Sequence, residues 1–567
     1  MKKKYITKLM IAACLSSALS LNSCIEEVFP ESSTATIDQI GKSDQAISAM
    51  VNSVVAFINA FRSYGPQFYH DFGYSGYNLI RESACEDFFC HEPKFDFFDT
   101  YGVCNDLGDA DVVNTIWYYN YKFLNNVNNA LSALEKADDA PENKYYKGIC
   151  LSYRAMIYMD LVRMYEYKKT GVEKLDAEAA SKNLYGITVP IITDETTEEE
   201  GRNNPRAPFY AVYKFILDDL ASAEELLSDY QRPTKNLPCT PVVHGLMARM
   251  WLEMGSRFEL YPEDLNTLNN NTDLNIASKE TCFTKAAEYA RKVINESGAM
   301  PLTEKEWFGG DSYTTGFNSV LTNSWVWGSI MTTEDVHSYW LNFAGSMCPE
   351  QTFGYGNRKW QGYKLIGKKL FDQIPNADWR KTTWIAPEDA GKAPGTKYHT
   401  LFTDENFKKV PAYVHLKFKP KEGNMIDANV GAPIDNLLMR VEEMYLIKAE
   451  AEAMGGNLSG GKSTLENFVR TYRDPSFTSK ANSAQDFQDE VWLQRRMELW
   501  GEGFSLFDIL RLKKPVIRKN TNYDPSVQYN SAAEAQILIY RIPQCEMETN
   551  SGISDTDNNP AAPQPQL

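Results

Sequence analysis

Histidine and cysteine are scarce in this chain, which has six histidines and ten cysteines among 567 residues. The histidines are scattered without the spacing of metal ligands, so the sequence gives no basis for a metalloenzyme. The cysteines are too few for a disulfide framework in a chain of this length. Cys85, Cys90 and Cys104, with His91 beside them, lack a zinc-site spacing, and we interpret them as buried thiols or one disulfide. We expect neither a metal nor another cofactor.

Basic residues are fewer than acidic ones, and long apolar segments are also scarce. Lysine and arginine number 58 against 75 acidic residues, which gives a net charge of −17. A nucleic-acid-binding protein should be basic, and anionic lipid would repel an acidic surface, so we exclude both as partners of the protein surface. After the N-terminus, no segment approaches the ~20 apolar residues that a membrane-spanning helix needs.

The N-terminal residues are typical of a cleaved secretory signal. Four lysines precede an apolar run at 9–21 that is shorter than the ~20 residues of a spanning helix. The run ends in Leu-Asn-Ser-Cys, which resembles a bacterial lipobox, and its cysteine is Cys24. We therefore expect residues 1–23 to be removed and Cys24 to be acylated as the new N-terminus. The mature chain keeps 54 basic and 75 acidic residues, a net charge of −21.

The residues after Cys24 predict a short tether. Residues 24–37 are rich in Pro, Ser and Thr, and acidic residues stand at Glu26 and Glu27. Acids in this position resemble the surface-export signal of Bacteroidetes lipoproteins. We expect the acyl chains to be the protein's only attachment to a membrane.

Helical periodicity dominates the rest of the chain. Apolar residues recur at i, i+3, i+4 and i+7, as in an amphipathic helix. We predict helices at about 143–167, 208–228, 240–254, 282–297, 437–454, 462–474 and 484–512. Several form pairs joined by Gly-, Pro- or Asn-rich turns, and helices this short must stack to bury their apolar faces. The predicted fold is mainly α, an irregular tetratricopeptide-like helical-repeat scaffold.

Two aromatic-rich segments lack the helical period. Residues 298–436 hold seven of the eleven tryptophans among Gly, Pro, Asn and Thr, and residues 64–101 hold many Tyr and Phe. Rings in loops can stack on the apolar face of a pyranose, although such rings more often belong to the core. We predict an N-terminal helical part at 38–297 with an aromatic loop at 64–101. A loop-rich, short-strand ligand-binding insert at 298–436 and a C-terminal helical part with a tail at 437–567 complete the chain.

A phosphate-loop pattern, G-x4-G-K-S, occurs at 456–463. A working phosphate loop lies between a buried strand and a helix, so that its amides point at the phosphates. Here the preceding residues, RVEEMYLIKAEAEAM, have the pattern of an amphipathic helix. We therefore interpret the glycines as a turn between paired helices.

The C-terminal segment LQRRMELWGEGFSLFDILRLKK (493–514) resembles the E-R-R-x-E-L-x-x-E-G-x-R-x-x-D-L-x-R signature of the SusD/RagB family. The matching residues are Arg495, Arg496, Glu498, Leu499, Glu502, Gly503, Asp508 and Arg511. Gln494 replaces a Glu and Ser505 replaces an Arg, so a local ion pair should differ here. Further blocks agree in order, at 154–155, 186–190, 378–380, 440–451, 468–473, 542–544 and 558–560. We expect the charged residues of these blocks to tie helices together.

The resemblance implies a function and a location. Members of this family are nutrient-binding lipoproteins of the Bacteroidetes outer membrane. They sit as a lid on a SusC-like TonB-dependent transporter, bind an oligosaccharide at the cell surface and close for import, without performing chemistry. We expect this chain to be such a glycan-binding lid and not an enzyme. The alternatives are a peptide- or protein-binding lid, a surface lipoprotein glycoside hydrolase and a plain scaffold.

The resemblance also implies where ligand binds. Family ligand surfaces lie where loops before the second long helix meet the irregular insert, which corresponds to residues 78–101 and 336–362. Both segments combine rings with Arg, Asn and acids. The predicted stacking residues are Trp340, Tyr339, Trp360, Tyr355 and Phe89. The predicted partners of sugar hydroxyls are Arg81, Asp87, Asn342 and Asn357.

Overall fold

The computed structural model describes residues 36–61, 70–91, 111–138, 140–336, 342–349, 362–392, 410–424, 426–523, 525, 528, 530 and 539–561. The predicted signal peptide, Cys24 and nearly all of the tether lie outside these residues. Within them, no helix is both long enough and apolar enough to cross a membrane.

Helices make up most of the described chain. In chain order they are α1 (Ile37–Gly41), α2 (Asp44–Phe57), α3 (Tyr74–Ser83), α4 (Asp111–Leu134), α5 (Pro141–Tyr165), α6 (Glu173–Ser181), α7 (Glu198–Gly201), α8 (Phe209–Leu226), α9 (Thr240–Leu260), α10 (Pro262–Asn271), α11 (Lys279–Glu296), α12 (Glu304–Trp307), α13 (Phe343–Met347), α14 (Lys368–Gln373), α15 (Ala428–Gly431), α16 (Val441–Met454), α17 (Leu458–Tyr472), α18 (Ala484–Glu498), α19 (Ser505–Leu512) and α20 (Gln544–Thr549). Four short strands are β1 (Phe88–His91), β2 (Trp325–Ser329), β3 (Tyr363–Ile366) and β4 (Asn436–Arg440). They form two antiparallel pairs, β1 with β3 and β2 with β4.

The long helices stack side by side along the chain. Helix α2 contacts α4, α4 contacts α5, and α5 contacts α8. The stack continues from α8 through α9 and α11 to α16, which contacts both α17 and α18. Each helix therefore buries its apolar face against its neighbours, as repeat scaffolds do. The prediction of a mainly α, tetratricopeptide-like scaffold is confirmed.

The sequence signals that begin the helices are local and regular. The Ser43 side chain accepts a hydrogen bond from the backbone N–H of Ala46 and so caps α2, whose buried side chains include Ile47, Val51 and Val54. Helix α5 begins with Pro141, which fits the first turn because its missing N–H would have no partner there. Helix α2 matches the apolar period of the sequence, whereas most residues of α5 from Gly148 onwards are buried on every side.

The helical stack continues directly across the irregular insert. Helix α11 packs against α16, although residues 297–440 separate them in sequence. Between the two helices the chain forms short helices, 3-10 turns such as Trp379–Thr383, and the strands β2, β3 and β4. The intervening residues therefore extend from the stack without interrupting it.

Most tryptophans described in this insert are core residues. Trp307, Trp325, Trp327 and Trp384 are each at most 1% exposed. Trp307 packs edge-on against Trp379, with ring centroids 5.5 Å apart. The high tryptophan content of residues 298–436 thus reflects in large part a packed interior.

The glycine-rich pattern at 456–463 forms a turn between two helices. Helix α16 ends at Met454, and the Asn457 side chain accepts the Gly460 N–H at 3.0 Å to cap α17. Gly456 has φ +98°, a conformation that favours glycine. Lys462 lies within α17, so the interpretation as a helix-to-helix turn is confirmed and a phosphate loop is excluded.

Two predicted helix boundaries are wrong. The segment predicted as one helix over 484–512 is divided into α18 and α19, because Gly501 and Gly503 adopt φ +77° and +88°. Residues 437–440, predicted as the start of a helix, belong to β4 and pair with β2. Within the segment expected to be irregular, residues 74–83 form α3.

Candidate ligand-binding site

A two-stranded antiparallel ribbon connects the two segments predicted to bind ligand. Strand β1 belongs to the 78–101 segment, and β3 follows the 336–362 segment directly. Their register places Phe89 opposite Leu365. Segments far apart in sequence therefore meet in the fold.

The ribbon ends where the chain enters the rest of both segments. His91 pairs with Tyr363, and paired residues in such a ladder have Cα atoms about 4.5–5.5 Å apart. Residues 92–110 follow His91, and residues 350–361 precede Tyr363 across Gly362; both stretches lie outside the described residues. Each of these two stretches is therefore joined at one end to the same end of the ribbon, the His91–Tyr363 pair.

Phe89, a predicted stacking residue, has an internal aromatic partner. Its ring is 5% exposed and stacks on Tyr523 with centroids 4.2 Å apart. The Tyr523 hydroxyl donates to the carbonyls of Cys85 and Phe88, each at 3.1 Å. These contacts hold β1 in place, and a sugar contact through Phe89 stays a prediction.

Asp87, a predicted hydroxyl partner, forms a buried ion pair with Arg496. Arg496 donates from Nε and Nη2 to the two Asp87 carboxylate oxygens, both at 2.6 Å, and from Nη2 to Glu86 at 2.7 Å. The three side chains are at most 7% exposed. The Trp500 indole also donates to the Asp87 carbonyl at 2.8 Å. This pairing attaches the start of β1 to α18 and to the turn that follows it.

Arg81 and Asn342 are each 3% exposed and also have internal partners. Arg81 Nη1 donates to Asp160 Oδ2 at 2.9 Å, which joins α3 to α5. The Asn342 side chain accepts the backbone N–H of Gly345 at 2.7 Å and caps α13. Both residues have a structural role here, and ligand contact through them stays a prediction.

The other five predicted contact residues lie outside the described residues. They are Tyr339, Trp340, Tyr355, Asn357 and Trp360. The described structure therefore joins the two segments and places four of the nine predicted residues in the interior of the protein.

Three arginines from the other matching blocks converge on Glu498 of the C-terminal motif. Arg380 and Arg440 each donate one Nη hydrogen bond to this carboxylate, at 2.8 and 2.7 Å, and Arg473 donates two at 2.8 Å. All four side chains are at most 1% exposed. Burial alone would raise the pKa of Glu498, but Arg473, Arg440 and Arg380 outweigh it and hold this pKa well below 4.5.

Gln494, which replaces a family Glu, takes part in the same cluster. Its Oε1 accepts from Arg380 Nη2 at 2.6 Å, and Arg380 also pairs with Asp378. The cluster joins α18 to β4 through Arg440 and to the end of α17 through Arg473. The expectation that charged motif residues tie elements of the scaffold together is confirmed.

The cysteine cluster gives no sign of a metal centre in the described part of the chain. Cys85 and Cys90 are buried, and Cys104 lies outside that part. Among the described residues, no group of three or more His, Cys, Asp or Glu is arranged to hold a metal ion.

Two family models match the chain. One, described as starch-binding and associating with the outer membrane, matches residues 50–252, and the other, the SusD family, matches residues 304–558. The chain belongs to the SusD family. The resemblance seen in the C-terminal motif is thereby confirmed. No curated protein sequence gives a significant match.

Solved structures of the SusD superfamily share this fold over nearly their full length. A SusD-like carbohydrate-binding protein from Bacteroides vulgatus has a TM-score of 0.66 and 21% identity, covering 91% of this chain and 98% of that one. A SusD superfamily protein from Bacteroides thetaiotaomicron has a TM-score of 0.64 and 17% identity, and the match covers 91% of this chain and 99% of that one. A laminarin-binding SusD-like protein has a TM-score of 0.58 and 16% identity, and the match covers 92% of this chain and 99% of that one.

Proposed function

We propose that this protein is a cell-surface glycan-binding lipoprotein that acts as the lid of a SusC-like, TonB-dependent outer-membrane transporter. Its ligand is an oligosaccharide, which it captures for import without chemical change. The acylated Cys24 anchors it to the outer membrane through the 24–37 tether.

The observation that carries this proposal is the β1–β3 ribbon. Because His91 and Tyr363 are paired, residues 92–110 and residues 350–361, which include the predicted rings Tyr355 and Trp360, start from one place on the scaffold. A sugar site needs several rings and amides directed at one ligand, and loops on a rigid scaffold provide that arrangement.

The base of this site is rigid because ion pairs and ring contacts tie it to the motif helices. Arg496 joins it to α18, and Tyr523 stacks on Phe89 below the ribbon. A base that does not rearrange lowers the entropy cost of binding. This supports ligand capture on a preformed base.

The proposal of binding without catalysis is supported by the state of the nearby acids. A glycoside hydrolase needs two carboxyl groups that reach the scissile bond. Glu86 and Asp87, the neighbouring acids at the start of β1, are both engaged by Arg496 and buried. The carbohydrate-binding and laminarin-binding relatives support a saccharide as the ligand class.

Calorimetry with a glycan panel tests the proposal. Wild-type protein should bind at least one oligosaccharide of the panel, and Trp340→Ala combined with Trp360→Ala should weaken it about tenfold or more. The control is Tyr118→Ala, which removes a ring 41% exposed on α4. The melting temperature of each variant should stay at the wild-type value.

Three outcomes would contradict the proposal. Unchanged affinity in the folded double variant would move the site elsewhere. Binding of peptides but of no glycan would favour a peptide-binding lid. New reducing ends during incubation with glycan would indicate a hydrolase.

A further inference from the structure

A cavity lies on the helical scaffold, apart from the predicted ligand site, and shares no lining residue with the β1–β3 ribbon. Its volume is about 430 Å³, which falls in the range of roughly 300–1,000 Å³ typical of small-molecule pockets. Residues 167–169 after α5, residues 185–187, the start of α8, and the end of α9 with α10 form its wall.

Aromatic rings form both the mouth and the floor of this cavity. Tyr185 is 37% exposed at the mouth, and Tyr210 beside it is half-buried. Phe209 and Tyr167 are 4% and 2% exposed, and the Tyr167 ring lies 5.8 Å from that of Tyr185. The Lys169 Nζ lies 5.5 Å from the centroid of the Tyr185 ring, so a ligand entering here would meet this ring and the ammonium group together.

Polar groups of both signs surround these rings. Lys169 and Glu263 are more than half exposed, with Nζ and Oε1 3.6 Å apart. Asp264 is one-fifth exposed and pairs with Arg257 Nη2 at 2.8 Å. Because both acids and bases line the opening, a strongly charged ligand of either sign would meet a like charge.

The floor of the cavity is preformed. The Arg257 guanidinium lies 3.6 Å over the Phe209 ring and forms ion pairs with Glu166 and Asp264. Gly186 has φ +69°, and a Cβ there would lie 2.8 Å from Phe209 Cδ1. A side chain at this position would collide with the Phe209 ring, so glycine lets the chain at 185–187 lie directly against the floor of the cavity.

We infer that this cavity is a second saccharide-binding site, for a neutral mono- or disaccharide unit that stacks on Tyr185. A pyranose has an apolar face for the rings and hydroxyls for Lys169, Glu263 and Asp264, and it carries no charge that the mixed rim would repel. The inference rests on the proposed glycan-binding function and adds a site on the scaffold, separate from the loops.

The test uses fluorotyrosine-labelled full-length protein and 19F NMR. The probes are maltose, cellobiose, laminaribiose, xylobiose and chitobiose, each titrated to saturation. Tyr185→Phe identifies the Tyr185 resonance by its loss. At least one disaccharide should shift this resonance while the Tyr118 resonance on α4 stays in place. If no probe shifts the Tyr185 resonance, the inference is wrong.

Affinity is then measured in the Trp340→Ala, Trp360→Ala background, so that only the scaffold site contributes. Adding Tyr185→Ala should weaken the remaining binding about tenfold or more, whereas Tyr185→Phe, which keeps the ring, should retain it. Lys169→Ala, at an exposed position that should not disturb folding, should also weaken it. Unchanged affinity in both alanine variants would overturn the inference.

The variants that change glycan binding show which of the two proposals fails. If glycan binding depends on Trp340 and Trp360 but leaves Tyr185 unaffected, only the scaffold site is wrong. If binding depends on Tyr185 and is unaffected by the tryptophan variants, the scaffold site holds and the loop site is wrong.

Discussion

The Ser505 hydroxyl donates a hydrogen bond to Glu82 Oε2 at 2.8 Å, although the two residues lie 423 positions apart in sequence. Glu82 Oε1 also accepts the backbone N–H groups of Gly503 at 2.8 Å and Ser505 at 3.3 Å. Glu82 is fully buried, and all these donors are neutral. Burial therefore raises the pKa of Glu82 from 4.5 to about 7, which the hydrogen bonds only partly oppose.

The raised pKa of Glu82 predicts a pH-dependent stability. The folded state holds the Glu82 proton more tightly than the unfolded state. Protonated Glu82 therefore adds to the free energy of unfolding in full below pH 4.5, and this added stability is lost as the pH rises through about 7. Glu82→Gln removes the titration. Between pH 4.5 and 7, wild-type stability should fall relative to the variant by up to about 3 kcal/mol.

Urea unfolding at a series of pH values measures this difference. Glu225→Gln, at an exposed position near the end of α8, is the control and should follow the wild-type pH profile. A constant difference between wild type and Glu82→Gln across this range would mean that Glu82 stays ionised in the folded protein.

Glu498 should be among the most sensitive positions of the scaffold. Glu498→Gln removes the charge that Arg380, Arg440 and Arg473 share and turns an amide donor towards guanidinium groups. Breaking a buried ion pair in this way costs about 3–5 kcal/mol of unfolding free energy. Denaturant unfolding followed by circular dichroism measures it.

Asp489→Asn is the matched control for Glu498→Gln. It lies on the same helix, α18, and pairs with Lys514 at 2.5 Å, but its side chain is 52% exposed. A surface ion pair contributes about 0–1 kcal/mol, so this variant should stay close to wild type. Equal losses in both variants would contradict a special role for the Glu498 cluster.

The helical stack could be predicted from sequence because its signals are local. The apolar period of α4 or α11 lies within a single segment, and the scaffold follows once such helices are paired. The division between α18 and α19 also has a local signal, the glycines Gly501 and Gly503, which the helical pattern around them outweighs. Strand β4 has no such signal, because its partner β2 lies about a hundred residues away.

The candidate site was less predictable because its determinants are non-local. The sequence places aromatic and polar residues in two segments, but only the fold brings β1 and β3 together. Nothing near Asp87 in sequence indicates that Arg496, 409 positions away, would bind it. For the same reason, sequence reasoning missed Glu86 as a second partner of Arg496 and Glu82 as a buried acid.

The lipid anchor gives the last prediction, since acylation of Cys24 is the attachment that the proposed function requires. Cys24→Ala removes the thiol that accepts the lipid, and the tether carries no long apolar segment in its place. In cells that lack the partner transporter, the variant should leave the outer-membrane fraction and appear as soluble protein. Cys14→Ala, which changes a cysteine inside the predicted signal, should leave the protein membrane-bound. If Cys24→Ala stays with the outer membrane in those cells, another part of the chain holds it there.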